Sequence, residues 1–131
     1  EHNLTNLIWV WNGQDPAWYP GDETVDIVSY DIYAGNHVDS CYSGTFAATA
    51  EIPTETKLVA LSENGCVMDP DKVMNGNSRW LYWGTWSDPF TIKNGMLNEE
   101  YTSLEILDKA YQSERTLTLE ELPDLKNYPL E

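Results

Sequence analysis

Glu63 closes an apolar run, Leu58-Val59-Ala60-Leu61-Ser62, and Asn64-Gly65 breaks the run at once. Two other strand-like runs also end on polar or flat groups, Asp31 with Tyr33 in one case and Trp86 in the other. In parallel βα architectures such strand endings converge on one rim, where reactive side chains gather. A carboxylate, a phenol and a flat indole on one rim are the parts needed to attack and hold a sugar ring. The bland reading of Glu63 is a solvated loop acid, because most acids lie at the surface. Its place at the tip of an apolar strand favours the chemical reading. Tyr33 reads equally well as a half-buried strand tyrosine.

Other chemistries find less support. His2, His37, Cys41 and Cys66 lack paired ligand spacing such as CxxC, so no catalytic metal or other cofactor is predicted. Seven Lys and Arg against 22 Asp and Glu give a formal charge of −15, which repels phosphate backbones and anionic membranes. Nucleic acid and lipid partners are therefore not expected, whereas a neutral polysaccharide is compatible. No stretch approaches the ~18 apolar residues of a membrane span, and no basic-then-apolar leader opens the chain. The two cysteines fit one disulfide, two free thiols or a pairing elsewhere. Leu130-Glu131 reads as a cloning scar.

The elements that would position these residues follow from pattern. Residues 7–11, Leu-Ile-Trp-Val-Trp, read as a strand covered on both faces, ended by Asn12-Gly13. A second strand spans 25–33, with Ile27, Ser29, Asp31 and Tyr33 on one face and Val28, Tyr30 and Ile32 on the other. A short helix within 41–51, stopped by Pro53, leads to the strand that ends at Glu63. Asp69-Pro70-Asp71 starts another helix, and residues 79–86 form a fourth strand with Trp80, Tyr82, Gly84 and Trp86 sharing a face. Asn98 caps a last helix whose Tyr101, Leu104, Leu107 and Tyr111 recur at intervals of three and four. Residues 116–129 read as an irregular strap. Four strands separated by helices or long loops imply repeated right-handed βα units in a parallel sheet. At 131 residues the chain holds one modest domain. A complete (β/α)8 barrel needs roughly 250 residues, so half of one fits.

Several segments together resemble glycoside hydrolase family 26, which consists mainly of β-mannanases. They are Trp9-Val10-Trp11-Asn12, Tyr19-Pro20-Gly21-Asp22, the run Val25-Asp26-Ile27-Val28-Ser29-Tyr30-Asp31-Ile32-Tyr33, Lys57-Leu58-Val59-Ala60-Leu61-Ser62-Glu63-Asn64-Gly65 and Trp80-Leu81-Tyr82-Trp83-Gly84-Thr85-Trp86. The tail Thr116-Leu117-Thr118-Leu119-Glu120-Glu121-Leu122-Pro123 is similar to the family's closing segment. The match covers the fifth to eighth strands of the family's TIM barrel and none of the first four. It implies an α/β fold, the C-terminal half of a (β/α)8 barrel over residues 1–131, from a secreted, polysaccharide-degrading enzyme.

The resemblance also implies roles. Glu63 falls where the family has the nucleophile of a retaining hydrolysis, with the two carboxyl groups about 5 Å apart. Tyr33 would hydrogen-bond that nucleophile, Asp31 would bind a sugar hydroxyl or join the catalytic network, and Trp86 would lie under the sugar in the cleaved subsite. Trp11 would line a neighbouring subsite or pack in the core; Trp9, Trp80 and Trp83 are assigned to packing. The family's acid/base glutamate sits on its fourth strand, and no acid here matches it. This chain alone is thus expected to be nearly inactive, with an N-terminal half-barrel or a second copy as partner and β-mannan as substrate. The alternatives are a non-catalytic carbohydrate-binding half-barrel and a mixed-linkage β-glucanase.

Overall fold

The computed structural model describes residues 6–124, 126 and 127. His2, the Leu130-Glu131 ending and the close of the expected strap lie outside them. Four strands form one parallel sheet in the order β1 (Val10–Trp11), β2 (Ile27–Ile32), β3 (Leu58–Asn64) and β4 (Trp83–Thr85). Helix α1 (Ser43–Ala50) connects β2 to β3, and α2 (Pro70–Asn75) connects β3 to β4. These are repeated βα units in a parallel sheet, as the spacing of the apolar runs predicts, and they agree with the four-stranded segment of a (β/α)8 barrel that the resemblance implies. No described helix is long and apolar enough to cross a membrane.

The helix-covered side of the sheet holds the core. Val28, Val59 and Leu61 pack there with Met68, Val73 and Trp80, and Phe46 of α1 closes edge-to-face on Trp80 at 5.1 Å. Each such side chain contributes about 1.5–3 kcal/mol when fully buried. Asp69 caps α2 by accepting from the Asp71 backbone at 2.9 Å, and Pro70 supplies the preset φ of a first helical residue.

Strict alternation would place Glu63 with Val59 and Leu61, under the helices. The sheet prevents this. Tyr30 lies opposite Leu61, but Asp31 lies opposite Glu63, so Ser62 is an extra residue in β3, and the same skip occurs against β4. A bulge of this kind re-aims the side chains that follow it. It moves Glu63 into line with Ser29, Ala60 and Asp31 on the barrel-interior side, and sends Asn64 to the other, where it is fully buried and bonds Cys66 and Thr85. Gly84 makes room for the bulge: a Cβ there would sit 2.8 Å from the Ser62 carbonyl oxygen.

Several elements differ from expectation. Of residues 7–11 only Val10 and Trp11 join the ladder, and Trp9, assigned to packing, is 54% exposed, because β1 is an edge strand with nothing over its outer side among the described residues. The run 79–86 is a regular strand only over Trp83–Thr85. Trp80 and Trp83 both turn to the core instead of Trp80 sharing a face with Tyr82, since the chain follows the bulged β3 through irregular bonds such as Leu81 to Val59. A small hairpin, β5 (Ile92–Lys93) with β6 (Met96–Leu97), follows the rim and was not legible in so short a sequence. The last helix, α3 (Leu104–Gln112), is capped by Ser103 rather than Asn98. Asn98 instead binds the Pro89 carbonyl, while Glu99 accepts from the Leu104 backbone at 3.1 Å. Lys109 of α3 ties back to Asp69 at 2.8 Å and to Asp71 at 3.0 Å. Cys41 and Cys66 are free thiols, the latter buried.

Candidate active site

The C-terminal ends of β2, β3 and β4 bring Asp31, Tyr33, Glu63 and Trp86 onto one rim. The Tyr33 hydroxyl donates to Glu63 Oε2 at 2.5 Å, and the Trp86 indole N–H donates to the same oxygen at 3.0 Å. Among the described residues, Oε1 accepts no hydrogen bond. Donors to the ionised form favour it. The Tyr33 bond, reinforced by Trp86 and opposed by partial loss of water, holds the Glu63 carboxyl below the usual carboxylate range. The phenol responds in the opposite sense: desolvation first, then the bond to Glu63, pushes Tyr33 up to about 12, so it stays a donor at any working pH.

Local packing fixes both donors. Phe90 lies 5.6 Å from the Tyr33 ring and 4.5 Å from Tyr101, centroid to centroid. Gly65 allows this approach, because a Cβ there would meet the Phe90 ring at 2.8 Å. The Trp86 backbone N–H donates to the Asn64 carbonyl at 3.1 Å, which continues the β3–β4 pairing up to the rim. Nearly half of Trp86 is open to solvent, leaving a flat face available for stacking.

Asp31 sits beside Glu63 in the register of β2 and β3. Asn12 donates to both of its oxygens, at 2.9 and 3.0 Å. Burial raises the Asp31 carboxyl above its ordinary value; the Asn12 bond opposes this and the Glu63 charge adds to it. Trp11 is not brought to the rim. Its ring meets Tyr19 edge-to-face at 5.3 Å and packs against the core, and its N–H donates to the Trp18 carbonyl at 3.3 Å. Sequence reasoning missed Asn12, Gln14 and Phe90. Asn12 carried one usable signal, an amide directly after an apolar run; Phe90 carried none.

The chain resembles known proteins along most of its length. The model of "Glycosyl hydrolase family 26" matches residues 1–120. A mannan endo-1,4-beta-mannosidase of Thermothelomyces thermophilus is 37% identical over 121 residues, which is 92% of this chain and 24% of that protein. Mannan endo-1,4-beta-mannosidase B of Piromyces sp. is 33% identical over 93% of this chain and 20% of its own length. Among solved structures, a beta-mannanase from a symbiotic protist of the termite Reticulitermes speratus, complexed with gluco-manno-oligosaccharide, superposes with a TM-score of 0.78 at 33% identity, covering 92% of this chain and 36% of that one. The Podospora anserina GH26-CBM35 beta-(1,4)-mannanase gives 0.76 at 35% identity, with 92% of this chain and 26% of that one covered. This chain thus spans between a fifth and about a third of these relatives. A strand-end carboxylate carrying two fixed donors, on a parallel sheet that superposes on these barrels, agrees with the sequence match, and the chain belongs to glycosyl hydrolase family 26.

Proposed function

We propose that residues 1–131 form the C-terminal half of the catalytic barrel of a secreted, retaining endo-β-1,4-mannanase and that Glu63 is its nucleophile. The observation that carries this reading is the one-sided capture of Glu63: both donors bind Oε2, so the carboxylate is ionised and oriented, with Oε1 free among the described residues. In the first step Oε1 attacks the anomeric carbon while the glycosidic bond breaks, giving a covalent glycosyl-enzyme. A proton must reach the departing oxygen, and an acid/base carboxyl from the remaining barrel strands supplies it. Water then attacks the same carbon, giving its proton to the acid/base carboxylate, and the bond to Oε1 breaks to release Glu63 as a carboxylate. Trp86 offers its face to the sugar's C–H groups, and no cofactor takes part. The names of the relatives point to β-1,4-mannan as the substrate.

Completion by the rest of the barrel fits the open flanks of the sheet. A groove of about 900 Å³, lined in part by Trp83, Ile92, Leu97, Tyr111 and Leu117, runs beside the outer edge of β4. A second copy is a poorer occupant than further barrel strands, because each copy brings a charge of −15. Treating the completed barrel with a 2-deoxy-2-fluoro-mannosyl inactivator should place a stable adduct on Glu63, read by peptide mass. An adduct on another carboxylate would remove Glu63 from the role. Binding of mannohexaose without turnover would favour a carbohydrate-binding role, and turnover of mixed-linkage glucan alone would favour a β-glucanase.

A further inference from the structure

Behind the rim, four hydrogen bonds close a ring from the Asp31 carboxylate back to the Asp31 backbone. The Asn12 amide nitrogen donates to both Asp31 oxygens, at 2.9 and 3.0 Å. The Asn12 amide oxygen accepts from Gln14 Nε2 at 2.6 Å, and Gln14 Oε1 accepts from the Asp31 backbone N–H at 3.2 Å. The orientation of each amide is forced. An ionised carboxylate only accepts, so Asn12 must present its nitrogen; its oxygen then faces Gln14's nitrogen, and Gln14's oxygen meets a backbone N–H that can only donate. Gln14 holds a left-handed φ of 60°, a region sparsely used by residues other than glycine and kept where surrounding bonds over-determine it.

We propose that Asn12 and Gln14 are positioning residues that clamp the Asp31 carboxylate beside Glu63, with Gln14 acting through Asn12. Without the clamp, two neighbouring carboxylates on one rim would relieve their repulsion by rotation of Asp31 or by uptake of a proton. Among the described residues, the titratable groups facing Asp31 are Glu63 from β3 and Tyr33 just past the end of its own strand; the segment after β1 brings the two neutral amides. With its carboxylate so fixed, Asp31 presents an ionised acceptor to a substrate hydroxyl.

The test compares the completed barrel with its Asn12→Ala, Gln14→Ala and Gln14→Glu variants, each verified as folded by near-UV circular dichroism. Titration of the Asp31 carboxyl carbon by NMR reads the clamp without any need for activity. All three variants should titrate at higher pH than the wild type. Gln14→Ala is the decisive one, because Gln14 does not touch the carboxylate and a merely structural role would leave the midpoint in place. Gln14→Glu should shift it further than Gln14→Ala, since it loses the donor to Asn12 and adds a like charge near Asp31. A shift confined to Asn12→Ala overturns the relay, and no shift in any variant overturns the clamp. The kinetic arm rests on the mannanase reading: kcat/KM on mannohexaose should fall about ten- to a hundred-fold, the range for a misplaced active-site group. If the wild-type barrel leaves mannan uncut, the mannanase reading falls while the titration still decides the clamp.

Discussion

Glu63 at the top of the sheet and Asp22 at its base are both ringed by donors, yet the two rings are built differently. Asp22 precedes β2 and Thr54 precedes β3, so their contact lies at the N-terminal end of the strands. The Tyr19 hydroxyl donates to Asp22 Oδ1 at 2.8 Å, and Oδ2 takes the Thr54 hydroxyl together with the backbone N–H groups of Thr54 and Glu55, at 3.1 and 2.9 Å. Both oxygens are occupied. Among the described residues, Glu63 takes two donors on one oxygen and keeps the other free. Saturation makes a carboxylate a strut, whereas one-sided capture orients it and leaves a lone pair for chemistry. The Tyr-Pro-Gly-Asp and Ala-Leu-Ser-Glu segments, equally prominent in the sequence, thus serve opposite ends of the barrel. Stability at the base and chemistry at the top is the division expected of parallel βα barrels.

The largest test of this contrast is Tyr33→Phe in the completed barrel. It removes the stronger donor to Glu63 and should lower kcat/KM about a hundred-fold, the scale for loss of one preorganised donor. The Glu63 carboxyl, held low first by Tyr33 and then by Trp86, would rise toward its ordinary value, so the acid limb of the kcat/KM profile should move to higher pH. An unmoved acid limb would break the claim that Tyr33 sets the charge of Glu63. Next comes Trp86→Phe, which keeps a flat face and loses the N–H. A drop of about tenfold is expected, close to the net contribution of one hydrogen bond, with a larger loss in Trp86→Ala. If Trp86→Phe matches wild type, stacking alone is the role of Trp86.

The smallest effect on turnover should come from Asp22→Ala, with kcat/KM unchanged and the urea midpoint lowered. Hydrogen bonds from Thr54 and then Tyr19 hold the Asp22 carboxyl below its ordinary value. A depressed folded-state value means that its contribution to stability is present above about pH 4 and is lost as pH falls through the folded-state value. The midpoint difference between wild type and Asp22→Ala should therefore shrink in acid. A loss of turnover without a loss of stability would erase the distinction between base and rim.

Much of this was legible in the residues alone. Apolar runs bounded by Asn-Gly and Pro-Gly pairs marked all four strands in order, because strand burial leaves a local pattern. The spaced motifs carried the family, and the placing of Asp31, Tyr33, Glu63 and Trp86 at strand ends anticipated their meeting on one rim. Trp11 could not be decided that way. A residue at a strand tip faces either the cleft or the core, and only the pairing of Trp11 with Val28 placed it against Tyr19. The hairpin over residues 92–97 was also missed, since two-residue strands give no measurable period.

The order of residues puts a carboxylate at the end of the third strand; the pairing between strands sets where it points. Counting by two along Leu58–Asn64 leads Glu63 into the core with Leu61. The extra residue at Ser62, accommodated by the missing side chain of Gly84, turns it to the barrel interior instead. Periodicity is a property of one strand, whereas register is a property of the hydrogen bonds between strands distant in the chain. The ring of Asn12, Gln14 and Asp31 has the same origin, joining residues 17 to 19 positions apart that only the parallel pairing of β1 with β2 brings together.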